Sequence, residues 1–224
     1  MDLSEVPQEE GGSDEPTGHA FRDALRLLFI LVRGSVQHPA PTEKWDRIFL
    51  GEKRALAIDF WLRYPDYLAD QLLNLHESGG DVELLEAAKR ILIKDEPDVR
   101  LVKMIRWRRG AFDDLQTSLA ILGYRGLTKP MKRKQPNGGY LFEYLTGPLA
   151  RSFLKEAISD QPELSWYERQ TRLALLVATD KSGSALKDIH YAEEEYANTP
   201  YGESIPSIKD RVIRRIRTIE GTDV

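Results

Sequence analysis

The chain has 224 residues, no cysteine, 41% apolar and 30% charged residues, and a formal charge of −4. That length holds one medium domain or two small ones with a real core, and the missing thiols exclude disulfide scaffolds, cysteine nucleophiles, Cys-ligated zinc and iron–sulfur clusters, which fits a reducing, cytoplasmic home. The longest apolar run, Leu27 to Val32, is far short of the roughly 20 residues that cross a bilayer, and the first 18 residues hold six acids and no Lys or Arg, unlike a secretory leader.

Residues 1–18 are polar, acidic and broken by Pro7, Gly11, Gly12 and Pro16, which predicts a disordered tail. From Phe21 the pattern changes: Phe21, Ala24, Leu25, Leu28, Phe29 and Val32 recur at helical spacing until Gly34. After a loop with Pro39 and Pro41, Arg54 to Tyr64 reads as a second helix ended by Pro65, which also suits the first turn of a third. Leu68, Leu72, Leu73 and Leu75 line that third helix, and Asp81 is placed to cap a fourth with Leu84, Leu85, Ala88, Ile91 and Leu92 on its apolar side.

The middle of the chain changes period. Phe112, Leu115, Leu119 and Leu122 predict a helix ending at Gly123 as a left-handed cap. Leu127 to Met131 and Tyr140 to Leu145 then read as two strands of a hairpin, joined by a long basic tip from Lys132 to Gly139, with Tyr140, Phe142 and Tyr144 on one face. Thr146 is a hydroxyl cap for a helix with Pro148 in its first turn. Helix, hairpin, helix is the order of a winged helix-turn-helix. Trp166–Thr179 and Ala185–Tyr196 predict an antiparallel pair across Lys181–Ser184, and Ile208, Val212, Ile216 and Ile219 stripe a terminal helix whose other face carries Lys209, Arg211, Arg214, Arg215 and Arg217. The expected fold is mainly α: a disordered tail (1–18), a helical domain with an embedded winged helix (19–160) and a helical extension (161–224).

Little in the chain suits catalysis. His19, His38, His76 and His190 have no HxH, HxxxH or HExxH spacing and read as solvated surface residues, so no metal site is expected. There is no Gly-Lys pair for a P-loop, and no acid-x-Lys to complete a nuclease motif at Pro65-Asp66 or Pro97-Asp98, whose prolines read as helix punctuation. Asp113-Asp114 point about 100° apart on a helix and suit its positive end better than an acid–base dyad. No GxSxG surrounds Ser182 to Ser184, which reads as a hinge loop. No cofactor and no catalytic residue is expected.

Charge carries the strongest signal. Val99 to Gln135 holds ten basic residues against two acids, so +8 lies in one segment of a chain of −4. On a winged helix these cations fall before the recognition helix and on the wing, which makes Arg106, Arg108, Arg109, Gln116, Arg125, Lys129, Lys132, Arg133 and Lys134 the candidate contacts to double-stranded DNA. Asp113, Gln116, Thr117 and Ala120 are the outward positions of the helix, and only Gln116 has good base-reading chemistry, so backbone contact through the wing is favoured over base readout. Trp61 and Trp166 sit in apolar runs and read as core; Trp107, among Arg106, Arg108 and Arg109, could stack on a base or anchor the segment.

The run Ala24–Leu31, followed by Ala55–Pro65, and later Leu122-Gly123-Tyr124-Arg125-Gly126-Leu127 with Tyr144-Leu145-Thr146, resembles the middle components of bacterial ABC-three-component systems, of which Lamassu-type anti-phage and anti-plasmid defence is the best known. The likeness spans Phe21 to Ala157 and rests on spacing and apolar character. It implies a non-enzymatic accessory subunit that binds an SMC-like or Rad50-like ATPase and couples DNA sensing to an effector, usually a nuclease. The isoleucine stripe of the terminal helix, Ile208, Val212, Ile216 and Ile219, is the expected partner-binding surface, since an amphipathic helix docks in a partner's groove as readily as on its own domain. A free-standing winged-helix transcription regulator is the alternative.

Overall fold

A computed structural model describes residues 18–93, 104–107, 110–111, 115–136 and 138–221. Residues 1–17 of the expected tail, Arg108, Arg109, the Asp113-Asp114 pair and Pro97-Asp98 therefore lie outside the described residues, as does the side chain of Trp107, and Gly18, the last residue of that tail, begins the first helix. The chain runs α1 (Gly18–Arg33), β1 (Val36–Gln37), β2 (Arg47–Leu50), α2 (Glu52–Arg63), α3 (Pro65–Glu77), α4 (Val82–Ile93), β3 (Arg106–Trp107), β4 (Gly110–Ala111) and α5 (Leu115–Tyr124). It continues through β5 (Lys129–Lys134), β6 (Tyr140–Thr146), α6 (Pro148–Asp160), a 3-10 turn at Pro162–Leu164, α7 (Ser165–Val177), α8 (Gly183–Ala192), α9 (Glu194–Asn198) and α10 (Lys209–Glu220). The architecture is mainly helical, with a four-stranded antiparallel sheet in the order β1-β2-β6-β5.

At the centre lies α2, whose Ala55, Ala57, Ile58, Phe60, Trp61 and Leu62 are all buried because α1, α3, α7 and α8 pack around it. Among these apolar groups sits one charged cluster. Arg26 of α1 donates to Asp59 at 2.6 Å, Arg63 donates to the other oxygen of the same carboxylate at 2.9 Å, and Asp23 closes the group on Arg26 at 2.8 Å. Burial alone would raise the Asp59 carboxyl, but the two guanidiniums outweigh it and hold the group below the usual carboxylate range. The cluster clasps α1 to α2.

Several boundaries differ from the sequence expectation for local reasons. The stretch read as a proline loop contains β1 and β2, and β2 pairs with β6 (Ile48 with Leu145, Phe49 with Tyr144). Neighbouring Ile48 and Phe49 are both buried, so β2 is covered on both faces and shows no alternation. Gly34 lets it close, since a Cβ there would meet the Phe49 ring at 2.5 Å. The α5 helix runs past Gly123, and the left-handed position is Gly126 (φ +67), with Leu127 N donating to Leu122 O and Gly126 N to Gly123 O in a Schellman arrangement. Thr146 is a buried strand residue and the helix cap falls on Gly147, which has no side-chain oxygen. Asp81 does accept from Glu83 N at 3.1 Å, and Ser182 accepts from Ala185 N as the cap of α8.

The carboxy-terminal helices enter the same core as the rest. Instead of forming a helical pair of their own, α7 and α8 each pack on α2, and a Cβ on Gly183 would meet Lys53 at 2.8 Å. Glu193 breaks the predicted Ala185–Tyr196 helix into α8 and α9. Tyr64 of the α2–α3 junction donates to Ile205 O and accepts from Met104 N, and buried Asp66 accepts from Ser207 and from Ile208 N. That is the structural duty of the Pro65-Asp66 pair.

Candidate nucleic-acid interface

The Schellman turn at Gly126 fixes how α5 hands over to β5, because Leu122 and Leu127 are both buried beneath it. On α5, Leu115, Ser118, Leu119 and Leu122 face inward, which leaves Gln116, Thr117 and Ala120 exposed. The following strand, Lys-Pro-Met-Lys-Arg-Lys, is exposed along its whole length at the edge of the sheet, where Pro130 removes a donor and the cations discourage pairing with another strand. Lys132, Arg133 and Lys134 belong to this strand and not to the tip. The turn is Gln135–Gly139, closed by Gln135 N to Gly139 O at 2.8 Å with Gly138 at φ +83.

Strand alternation sorts the cations. Pro130, Lys132 and Lys134 lie opposite Tyr144, Phe142 and Tyr140, in that register. The Lys132 ammonium sits 4.0 Å from the Tyr140 ring centroid and 5.5 Å from that of Phe142, so a cation is held over two aromatic faces. Burial grades along this aromatic row from exposed Tyr140 through half-buried Phe142 to buried Tyr144, anchoring the hairpin at its base and leaving its end free. On the other face, Arg133 donates to buried Glu143 at 2.7 Å, which neutralises one charge of the cluster and aims the guanidinium along the strand. Lys132 and Lys134 on the aromatic face, Lys129 on the face of Arg133, and Arg125 at the end of α5 are exposed cations. Tyr140 is not among the contacts expected from the sequence; its alternation with Phe142 and Tyr144 opposite Lys132 and Lys134 is the signal that could have found it.

Arg106 does not join this group. Its backbone pairs with Gly202 and Glu203, its guanidinium donates to the carbonyls of Ala197 and Thr199 at the end of α9, and it lies 5.1–5.9 Å from the ring centroids of Tyr201, Tyr191 and Tyr196. A side chain held by carbonyls and three rings ties the 104–106 segment to the carboxy-terminal part and is withdrawn from phosphate. The partner-binding expectation for the terminal stripe is corrected too. Ile208, Val212 and Ile216 are buried and Ile219 packs against the same core, because α10 lies on α3 and α4. Two cations of its polar face are matched from within: Arg215 donates to Asp70, Asn74 and Glu77, and Arg211 to Glu193 at 2.6 Å.

No cluster of three or more metal-binding side chains occurs among the described residues, and no described helix is long and apolar enough to cross a membrane. Comparison with family models, curated proteins and solved structures returns no match to this chain.

Proposed function

We propose that the chain is a non-catalytic winged-helix subunit that holds nucleic-acid backbone within an SMC-like ATPase assembly of bacterial defence, with an effector nuclease as the further partner. The observation that carries the nucleic-acid part is the strand order β2-β6-β5 with α5 leading directly into the basic hairpin, which leaves Arg125 and Lys129 exposed at the junction and Lys132 and Lys134 exposed along the aromatic-bearing face of the wing. Among the described residues the outward face of α5 offers one base-reading side chain, Gln116, beside Thr117 and Ala120, which supports backbone contact over base reading. The ATPase part rests on the resemblance of Phe21 to Ala157 to the middle components.

Two measurements test it. Tagged chain expressed with its genomic neighbours should bring down a long ATPase; recovery of the chain alone, with one short duplex bound far above others, makes it a free-standing regulator instead. In a salt series, the double variant Lys132→Glu, Lys134→Glu should weaken duplex binding at least tenfold and lower the slope of log K against log salt by about 2, roughly one for each phosphate that is no longer neutralised. Unchanged affinity and slope would rule out the wing. Arg133 is left in place so that Glu143 keeps its partner.

A further inference from the structure

A cavity of about 430 Å³ opens between the start of α1, the end of α5 and the start of α6. Its walls are Phe21 and Leu25 of α1, Ile121 of α5, and Leu149 and Phe153 of α6; among the described residues the one charged group that lines it is Arg125. Phe21, Leu149 and Phe153 remain 48%, 56% and 41% exposed, so the cavity holds apolar surface in water that a ligand would cover. The Arg125 guanidinium is exposed and forms no ion pair with any described residue.

Spacing decides what fits. The lining positions on α1 and on α6 each span one helical turn, roughly 5–6 Å of axis. A docked protein helix reads a groove through anchors at i, i+3 or i+4, and i+7, which needs two turns or more of matching wall. A short apolar chamber with one cation at its margin has instead the form of a small-molecule site, which runs to about 300–1,000 Å³ and uses few polar groups to orient a mostly apolar ligand. A guanidinium offers two parallel donors, the match for a planar carboxylate.

We propose that this cavity binds an aliphatic carboxylate, with its chain between α1 and α6 and its head group on Arg125. Because Arg125 is also one of the exposed cations at the junction of α5 with the hairpin, a bound carboxylate would neutralise one of them, but the site itself does not depend on the nucleic-acid reading and is measured without DNA. The probe is cis-parinaric acid, which fluoresces in apolar surroundings, titrated below its micellar concentration and then displaced by dodecanoate or dodecanol. We expect one saturable site per chain, with dodecanoate displacing at least tenfold better than dodecanol. Arg125→Gln should remove that preference while leaving dodecanol unchanged, and Leu149→Asp, at an exposed rim position, should abolish both with the circular-dichroism melt intact. Absence of saturable signal, more than one probe per chain, or an unaltered acid preference in the Arg125→Gln protein would overturn the proposal.

Discussion

His190 is buried against Phe60, Trp61 and Tyr196, with ring centroids 4.5, 5.0 and 6.0 Å away, and its Nε2 has no partner among the described residues. Burial pushes its pKa down to about 3. The folded chain therefore keeps a neutral ring while the unfolded chain takes up a proton near pH 6.5, so stability is full above that value and falls as pH drops toward 3, by about 1.4 kcal/mol per unit from this group. Urea melts of His190→Phe between pH 6 and 4 should show a slope flatter by that amount; an identical slope would place the acid sensitivity elsewhere. Asp59 is the converse case. Its lowered pKa contributes stability above the ordinary carboxylate range that is lost as pH falls through the folded value. Asp59→Asn leaves the two buried guanidiniums of Arg26 and Arg63 one carboxylate short, with Asp23 still beside them, and should cost about 3–5 kcal/mol in the same urea assay. Nothing in the spacing of either residue distinguishes it from a surface group. Charge pairs formed between α1 and α2, and rings gathered from α2, α8 and α9, exist only after the elements meet.

At the scale of elements, the helices with continuous apolar stripes are legible in the sequence and their neighbours are not. The α1, α3 and α4 helices follow their leucines and isoleucines, and the hairpin follows its alternating aromatics, because burial of one face imposes a period. The β2 strand shows no such period since both its faces are covered, and the fate of α10 is illegible because an amphipathic stripe does not say whose groove it enters. Here the groove between α3 and α4 supplies both the apolar floor and the carboxylates of Asp70 and Glu77. The junction of β6 with α6 depends on space instead of periodicity. A Cβ on Gly147 would fall 1.9 Å from the Lys44 carbonyl oxygen, and a backbone carbonyl cannot rotate aside. Gly147→Ala should therefore cost about 2–3 kcal/mol in thermal or urea unfolding, although its extended φ of −151 suits any residue. A cost under about 0.5 kcal/mol would show that the loop holding Lys44 yields easily.

For the molecule as a whole, net charge is a poor guide and its distribution a better one. Among the described residues, the cations of the +8 segment divide in three dimensions between Arg106, tied to the end of α9, and those at the end of α5 and along the hairpin. Linear clustering reports only that cations are near one another along the chain; carbonyls and rings donated by distant elements decide which stay available. Nor does the core stop near residue 160, as α7, α8 and α10 complete what α1 and α2 begin. That arrangement bears on the order of synthesis. The α2 helix leaves the ribosome well before α8 and α9, whose His190 and Tyr196 complete the ring cluster around Phe60 and Trp61 and follow about 130 positions later, roughly 6–26 s at 5–20 residues per second. During that interval Phe60 has only Tyr64 and Tyr67 of the adjoining helix beside it, and the contacts of Phe60 and Trp61 with His190 and of Phe60 with Tyr196 wait for the end of synthesis.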